Sequence, residues 1–246
     1  MLRFFCEAGL PAGTVLDVGA QEETRELRLA FPGLRHILFE PASEFHEALR
    51  RNYATMDYVL VSAAVSDWDG TGLLHKTSLD GGKITHSTLV ENDFSGSLEP
   101  VTMLRLDTFM KSRNDPKPYL LKLDVDGNEL QILRGCEGIW DGISCVIIEA
   151  KPFNIAEQLN FLLSKGFELF DIVDNCYYYG MFWQADLVFI AKRFTGNPNL
   201  RPRQTKPFTW SEWIEAASYE AALRECTPAP IRRFRLPRFK FWKRHA

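Results

Sequence analysis

The stretch Thr14-Val15-Leu16-Asp17-Val18-Gly19-Ala20 (TVLDVGA, 14–20) decides how this chain is read. An aliphatic run of strand length carries an acid near its end and closes on two small residues that make a turn. A polar stretch of helical length follows (EETRELRLAF, 22–31), and then a second apolar run, HILFEP (36–41). Strand, tight turn, helix and strand form a βαβ unit, whose crossover sets the two strands parallel.

The same alternation extends outward to about residue 150. Further candidate strands are DYVLVSAAV (57–65), YLLKLDV (119–125), ISCVIIEA (143–150), FELFDIV (167–173) and ADLVFIA (185–191), nearly all apolar and so buried on both faces. The intervening helices are SEFHEALRRNY (43–53) with Ser43 as N-cap, NELQILRG (128–135) ended by Gly135, and NIAEQLNFLLSKGF (154–167) ended by Gly166. Two departures stand out. Segment 66–118 contains turn signals (Asp69-Gly70, Asp80-Gly81-Gly82) and the run VTMLRLD (101–107), which predicts a β-hairpin insertion before strand 4. The link DNCYYYGMFWQ (174–184) is too short for a helical crossover, so the last strand runs antiparallel. The expected class is α/β: a seven-stranded, mostly parallel sheet with an antiparallel last strand and helices on both faces.

This domain is expected over 1–193. A Pro-rich linker follows over 194–208, and then a C-terminal helix and basic aromatic tail over 209–246. Thr209 to Glu212 reads as a capping box opening a helix over about 210–225, which Pro228 and Pro230 end. With 46% hydrophobic and 25% charged residues among 246, general disorder and fibrous repeats are excluded. No apolar run reaches the roughly 18 residues that cross a bilayer. The start MLRFFCEAGL lacks the pattern of a secretory signal, so the expected compartment is the cytoplasm. Five cysteines without a C-x-x-C pair, and five histidines without ligand spacing, predict reduced thiols and no zinc.

Net charge is −3, yet residues 231–246 hold seven Lys or Arg and no acid, which leaves 22 basic against 32 acidic residues in 1–230. Such a body repels a phosphate backbone, so nucleic acid is not expected as the main partner. In the tail, Arg232, Arg233, Arg235, Arg238, Lys240, Lys243 and Arg244 interleave with Phe234, Phe239, Phe241 and Trp242. That pattern suits peripheral contact with an anionic membrane or an acidic glycan, against the plainer reading of a solvated end.

In an open parallel sheet the ligand lies outside the carboxyl ends of the strands, where the order reverses. Gly19 and Ala20 close the first strand, and the glycine is expected to let backbone approach a ligand closely. A dinucleotide enzyme needs G-x-G-x-x-G here, whereas this chain continues Gln21-Glu22-Glu23-Thr24, two consecutive acids that oppose a pyrophosphate. Glu40, 23 residues after Asp17, ends the second strand where an acid accepts both ribose hydroxyls of a nucleoside. Ser62, Ala63 and Ala64 offer a small-residue slot for adenine, against ordinary small-residue packing. Together these features suit adenosine carrying a cationic sulfonium.

An ordered set of segments resembles the FkbM family of S-adenosylmethionine-dependent methyltransferases, within the class I Rossmann-like fold. They are VLDVGA (15–20), LFEP (38–41), SAAVSDWDG (62–70), HSTL (86–89), RLDTF (105–109), KLDVDGNELQILRG (122–135), VIIEA (146–150), KGFEL (165–169) and QADLVFI (184–190). The family's first loop usually carries Asn and Gly where this chain has Gln21 and Glu23; Glu23 is the candidate to meet the cofactor's ammonium. The resemblance implies cofactor contacts from Asp17, Gly19, Ala20, Glu40, Ser62, Ala63 and Asp124, the last facing the methionine end and the acceptor. Lys122, two residues earlier, shares its face and is its candidate ion-pair partner.

Methyl transfer is an in-line displacement, and a hydroxyl nucleophile must lose its proton to a positioned base. Asp124, Glu149 and His86 are the catalytic candidates. Magnesium held by Asp124, Asp126 and Glu149 is a side hypothesis from hard oxygen ligands, and no metal site is assigned. Tyr177 to Trp183 supplies rings that could stack on a sugar or macrolide acceptor, or simply pack as a hairpin. The expected activity is O-methylation of a hydroxyl on a sugar, glycan or secondary metabolite. Its rivals are a catalytically silent module that binds S-adenosylmethionine or S-adenosylhomocysteine, and a nicotinamide-dependent dehydrogenase that shares only the sheet.

Overall fold

The computed structural model describes residues 1–77, 86–90, 98–200 and 209–210. Helix α1 (Leu2–Glu7) precedes β1 (Thr14–Val18), α2 (Arg25–Ala30) and β2 (Arg35–Phe39). A 3₁₀ turn at Ser43–Phe45 and α3 (His46–Asn52) lead to β3 (Tyr58–Val61). Ser43 makes no capping hydrogen bond; it opens the 3₁₀ turn instead. The run expected as one strand over 57–65 breaks at Ser62, where the Ala63 N–H turns back onto the Val61 carbonyl (2.9 Å). It resumes as β4 (Ala64–Ser66) in a different sheet.

That second sheet contains β5 (Gly70–Thr77), β6 (His86–Val90) and β7 (Leu98–Arg105) in the order β4-β7-β5-β6, so the insertion is more than a hairpin. Its inner side packs Ala64, Leu74, Val101 and Met103 against Ala42 and Phe45. The chain then returns through α4 (Leu106–Lys111), β8 (Tyr119–Leu123), α5 (Glu129–Arg134), β9 (Ile143–Ala150), α6 (Ile155–Ser164), β10 (Phe167–Tyr178) and β11 (Met181–Ala191). Gly166 ends α6 with φ +81°, a left-handed conformation suited to glycine. Gly135 after α5 has an ordinary φ of −71°; a Cβ there would stand 2.2 Å from the Ser66 carbonyl oxygen, so close packing is what requires the glycine.

The main sheet runs β10-β11-β9-β8-β1-β2-β3, with β11 antiparallel to both its neighbours and the other pairs parallel. The order reverses between β1 and β8, which makes their carboxyl ends the switch point. Strand alternation sends Leu16, Leu121, Val146 and Phe189 into a core under α4, α5 and α6. Val15, Leu120, Ile147 and Val188 enter a second core beneath α1 and α2. Each fully buried aliphatic side chain contributes about 1.5–3 kcal/mol, so both faces hold the sheet.

The chain divides into two compact units, Met1–Pro202 and Arg203–Ala246. Part of the stretch expected as linker is packed into the first unit: Leu200 is 1% exposed, and the Asn197 amide donates to the Ala8 carbonyl (3.0 Å). The predicted C-terminal helix and basic tail lie outside the described residues, apart from Thr209 and Trp210. Among the described residues no helix is long and apolar enough to cross a membrane.

Candidate active site

A cleft opens at the switch point, with about 540 Å³ of empty space continuous with solvent. The end of β1 contributes Val18, Gly19 and Gln21, and the end of β2 contributes Phe39, Glu40 and Pro41. Ala63, Ala64 and Val65 form one side wall where the chain leaves the main sheet; Asp124, Val125, Asp126 and Asn128 after β8 form the other. Leu74 of β5 and Leu89 of β6 complete it, so the insertion supplies part of the binding surface.

Glu40 is held by backbone. One carboxylate oxygen accepts the Gln21 N–H (2.9 Å) and the other the Ala42 N–H (2.8 Å). The first bond holds the loop after β1, where Gln21 takes a φ of +45°. Burial raises the Glu40 carboxyl to about 7, against the lowering pull of those two N–H groups. Gly19 has φ +85°, and a Cβ there would lie 2.0 Å from the Asp124 carbonyl oxygen. The close approach that requires this glycine is to the Asp124 backbone beside it, and the same residue lines the cleft.

Asp17 sits one residue below the cleft wall, opposite Lys122 in the β1–β8 register. It is fully buried, and neither carboxylate oxygen has a hydrogen-bond partner. Burial raises it to about 6, only partly offset by the Lys122 ammonium and nearby Thr24. Lys122 is itself buried and bonds Asp124, the partnership expected from their spacing, while also facing Asp17 and Asp186.

A second group continues across the edge. Lys151 lies 3.0 Å from Glu149 and 3.5 Å from Asp126, and the Gln184 amide donates to the other Glu149 oxygen. Burial raises Glu149, while Lys151 pulls it down. Burial likewise brings Asp186 on β11 to about 6.

The candidates are thus divided. Gly19, Glu40, Ala63 and Asp124 reach the cleft wall. Ala20 is packed with Leu38, Leu49 and Tyr53, and Ser62 is exposed outside the cleft. Glu23, the candidate to meet the cofactor's ammonium, ion-pairs with Arg28 at 2.8 Å. The backbone of His86 lies on β6 opposite Thr77, and its side chain is outside the described residues. Asp124, Asp126 and Glu149 are interleaved with two lysines; among the described residues no three acidic, His or Cys side chains gather to hold a metal ion.

Sequence reading missed Gln184, Lys151 and Asp186, because no local spacing joins 122, 151 and 186. Glu129 is also buried, with burial raising it to about 7, and its carboxylate accepts the Gly127 N–H (3.1 Å), bracing the loop after β8.

Among the described residues the cleft walls carry three carboxylates, Glu40, Asp124 and Asp126, and no lysine or arginine. A dinucleotide's diphosphate would meet only like charge there, whereas a cationic nucleoside finds complementary charge and apolar walls. Sheet order, reversed edge strand and this cleft define a Rossmann-like fold with a site at its switch point. Residues 17–173 match the Methyltransferase FkbM domain, and the chain belongs to that family. The methyltransferase sdnD of Sordaria araneosa is 29% identical over 202 residues, covering 66% of this chain and 76% of its own. Among solved structures, the precorrin-6y C5,15-methyltransferase of Geobacter metallireducens is similar with a TM-score of 0.43 and 13% identity over 77% of this chain and 87% of that one. The magnesium protoporphyrin IX methyltransferase of Synechocystis, solved with bound SAM, has a TM-score of 0.43 and 10% identity over 76% and 74%.

Proposed function

We propose that the protein moves the methyl group of S-adenosylmethionine to a hydroxyl of a sugar, glycan or other secondary metabolite, acting in the cytoplasm. The observation that supports the cofactor half is Glu40: a buried carboxylate at the end of β2, fixed by two backbone N–H groups and open to the cleft. Its remaining lone pairs suit a pair of ribose hydroxyls. Ala63 and Ala64 form a small-residue wall near Phe39 that suits a flat base, and Asp124 lines the opposite wall.

S-adenosylmethionine, when bound, supplies an electrophilic methyl on a sulfonium. The chain must position the nucleophile and remove its proton. Glu149 is the proposed base. Burial raises its proton affinity, the direction a base requires, and Lys151 and Gln184 fix its two oxygens. Asp124, bonded to Lys122, is proposed to steer the acceptor hydroxyl.

Calorimetry with S-adenosylhomocysteine and with NAD tests the cofactor half: heat with the first and none with the second is expected, and the reverse sinks the reading. Mass spectrometry after incubation with labelled cofactor and host glycans tests the acceptor half. A gain of about 14 Da on a hydroxylated product is expected. Label found only on nitrogen, carbon or nucleic acid defeats it.

A further inference from the structure

The hairpin of β10 and β11 outgrows the sheet. Strand β9 ends at Ala150, paired with Ala185, while β10 and β11 continue together to a turn at Tyr179-Gly180. The resulting two-stranded ribbon projects past the carboxyl end of β9, the same side on which the cleft opens.

Its register slips by one residue near the tip. Tyr177 pairs with Phe182, but Cys176 pairs with Gln184, which leaves Trp183 as an extra residue on β11. Such a bulge re-aims side chains. Here it brings Trp183 onto the face of Tyr178, with the rings edge to face at 5.5 Å, and leaves Tyr177 and Phe182 paired on the opposite face (6.1 Å). Tyr178 and Trp183 are 57% and 52% exposed although they brace each other.

The Tyr178–Trp183 face is continuous with the acidic edge. Gln184, next along β11, donates to Glu149; Glu149 meets Lys151; and Lys151 meets Asp126 on the cleft wall. Asp186 and Asp174 face the same region, so among the described residues seven carboxylates (Asp17, Asp124, Asp126, Glu129, Glu149, Asp174, Asp186) stand against Lys122 and Lys151. Aromatic rings stack on the C–H faces of a ring, carboxylates and an amide accept and donate hydrogen bonds at its rim, and the excess negative charge repels an anion.

We infer that the strip from Tyr178 and Trp183 through Gln184 to Glu149 and Asp186 is the acceptor subsite, and that it takes an uncharged polyhydroxylated ring in preference to its anionic derivative. The inference rests on the reading of the switch-point cleft as the cofactor site, since it places the ring beside that cleft.

The experiment is saturation-transfer NMR on the full chain with methyl glycosides of glucose, galactose, mannose and rhamnose, and with glucuronate and glucose 6-phosphate as anionic counterparts. Each probe is used at about 10 mM, a concentration that detects millimolar affinity. Transfer to at least one neutral glycoside is expected. It should fall about five-fold or more in Trp183→Ala and Tyr178→Ala and persist in Tyr177→Ala, on the other face. No transfer to any neutral glycoside, stronger transfer to the anions, or equal loss in Tyr177→Ala overturns it. S-adenosylhomocysteine affinity, measured on the same samples, is expected to stay unchanged in all three variants. Absence of that affinity from the parent protein would instead sink the cofactor reading, separately from the glycoside result.

Discussion

The two halves of the sheet edge are built differently. On the β1–β2 side Glu40 is held by two backbone N–H groups, and Gly19 is pressed against the backbone of Asp124. On the β8–β9–β11 side position is set by side chains: Lys122 on Asp124, Lys151 between Glu149 and Asp126, and Gln184 on Glu149. Backbone-held groups have little freedom to rearrange, as suits one invariant nucleoside. A side-chain network can be altered residue by residue without disturbing the strands, as suits a half that selects the acceptor.

The largest effect expected on the backbone-built half comes from Gly19→Ala. The added methyl would overlap the Asp124 carbonyl at a φ that disfavours side chains, which should cost about 3 kcal/mol or more of folding stability. Urea denaturation measures this, and a loss under about 1 kcal/mol would show that the β1–β8 junction yields. Next is Glu40→Ala, which should weaken S-adenosylhomocysteine binding by about 1–3 kcal/mol, or roughly 5- to 150-fold in Kd. Unchanged calorimetric affinity removes Glu40 from the site.

Asp17 sharpens the comparison, being fully buried at that edge with the Lys122 ammonium and Thr24 only partly offsetting its desolvation. Its folded-state carboxyl is raised from 3.8 to about 6, so the folded protein binds this proton more tightly than the unfolded chain does. The favourable contribution is full below about pH 4 and lost as pH rises through about 6. Asp17→Asn should therefore be more stable than the parent by about 1–3 kcal/mol at pH 8, the difference vanishing toward pH 4. Equal stability at pH 8 contradicts the burial argument. If stability rises while S-adenosylhomocysteine affinity falls, the buried acid serves the cofactor at a stability cost.

The smallest effect is expected at Lys76→Met. Lys76 bonds Glu44 and Glu99, joining the second sheet to the 3₁₀ turn after β2. Both acids are nearly half exposed, so less than about 1 kcal/mol of stability should be lost. Because Leu74 and Leu89 of that sheet line the cleft, the S-adenosylhomocysteine dissociation rate should rise by about two- to three-fold. An unchanged rate separates the insertion from cofactor retention.

The β1–β2 side of the cleft was legible because its parts are local. An acid, a glycine and a second acid at a fixed interval mark strand ends, and strand ends of a parallel sheet share one edge. The break at Ser62 was not legible: the run 57–65 is apolar throughout, and only the competition between two sheets for Ala64–Ser66 ends β3 early. Nor could spacing show Glu23 paired with Arg28, since that choice depends on how α2 lies against the loop.

Chain order, apolar periodicity and turn chemistry are local properties of the covalent chain, and by themselves they determined the α/β class, the parallel sheet, the reversal of the last strand and the edge on which the cleft opens. Tertiary structure alone decided that Asp17 lies unpartnered beneath the wall, that Lys122 and Lys151 divide the carboxylates, and that a one-residue slip turns Trp183 onto Tyr178. Burial, ion pairing and register depend on which distant residues become neighbours, and that is settled only when the sheet closes around its two cores.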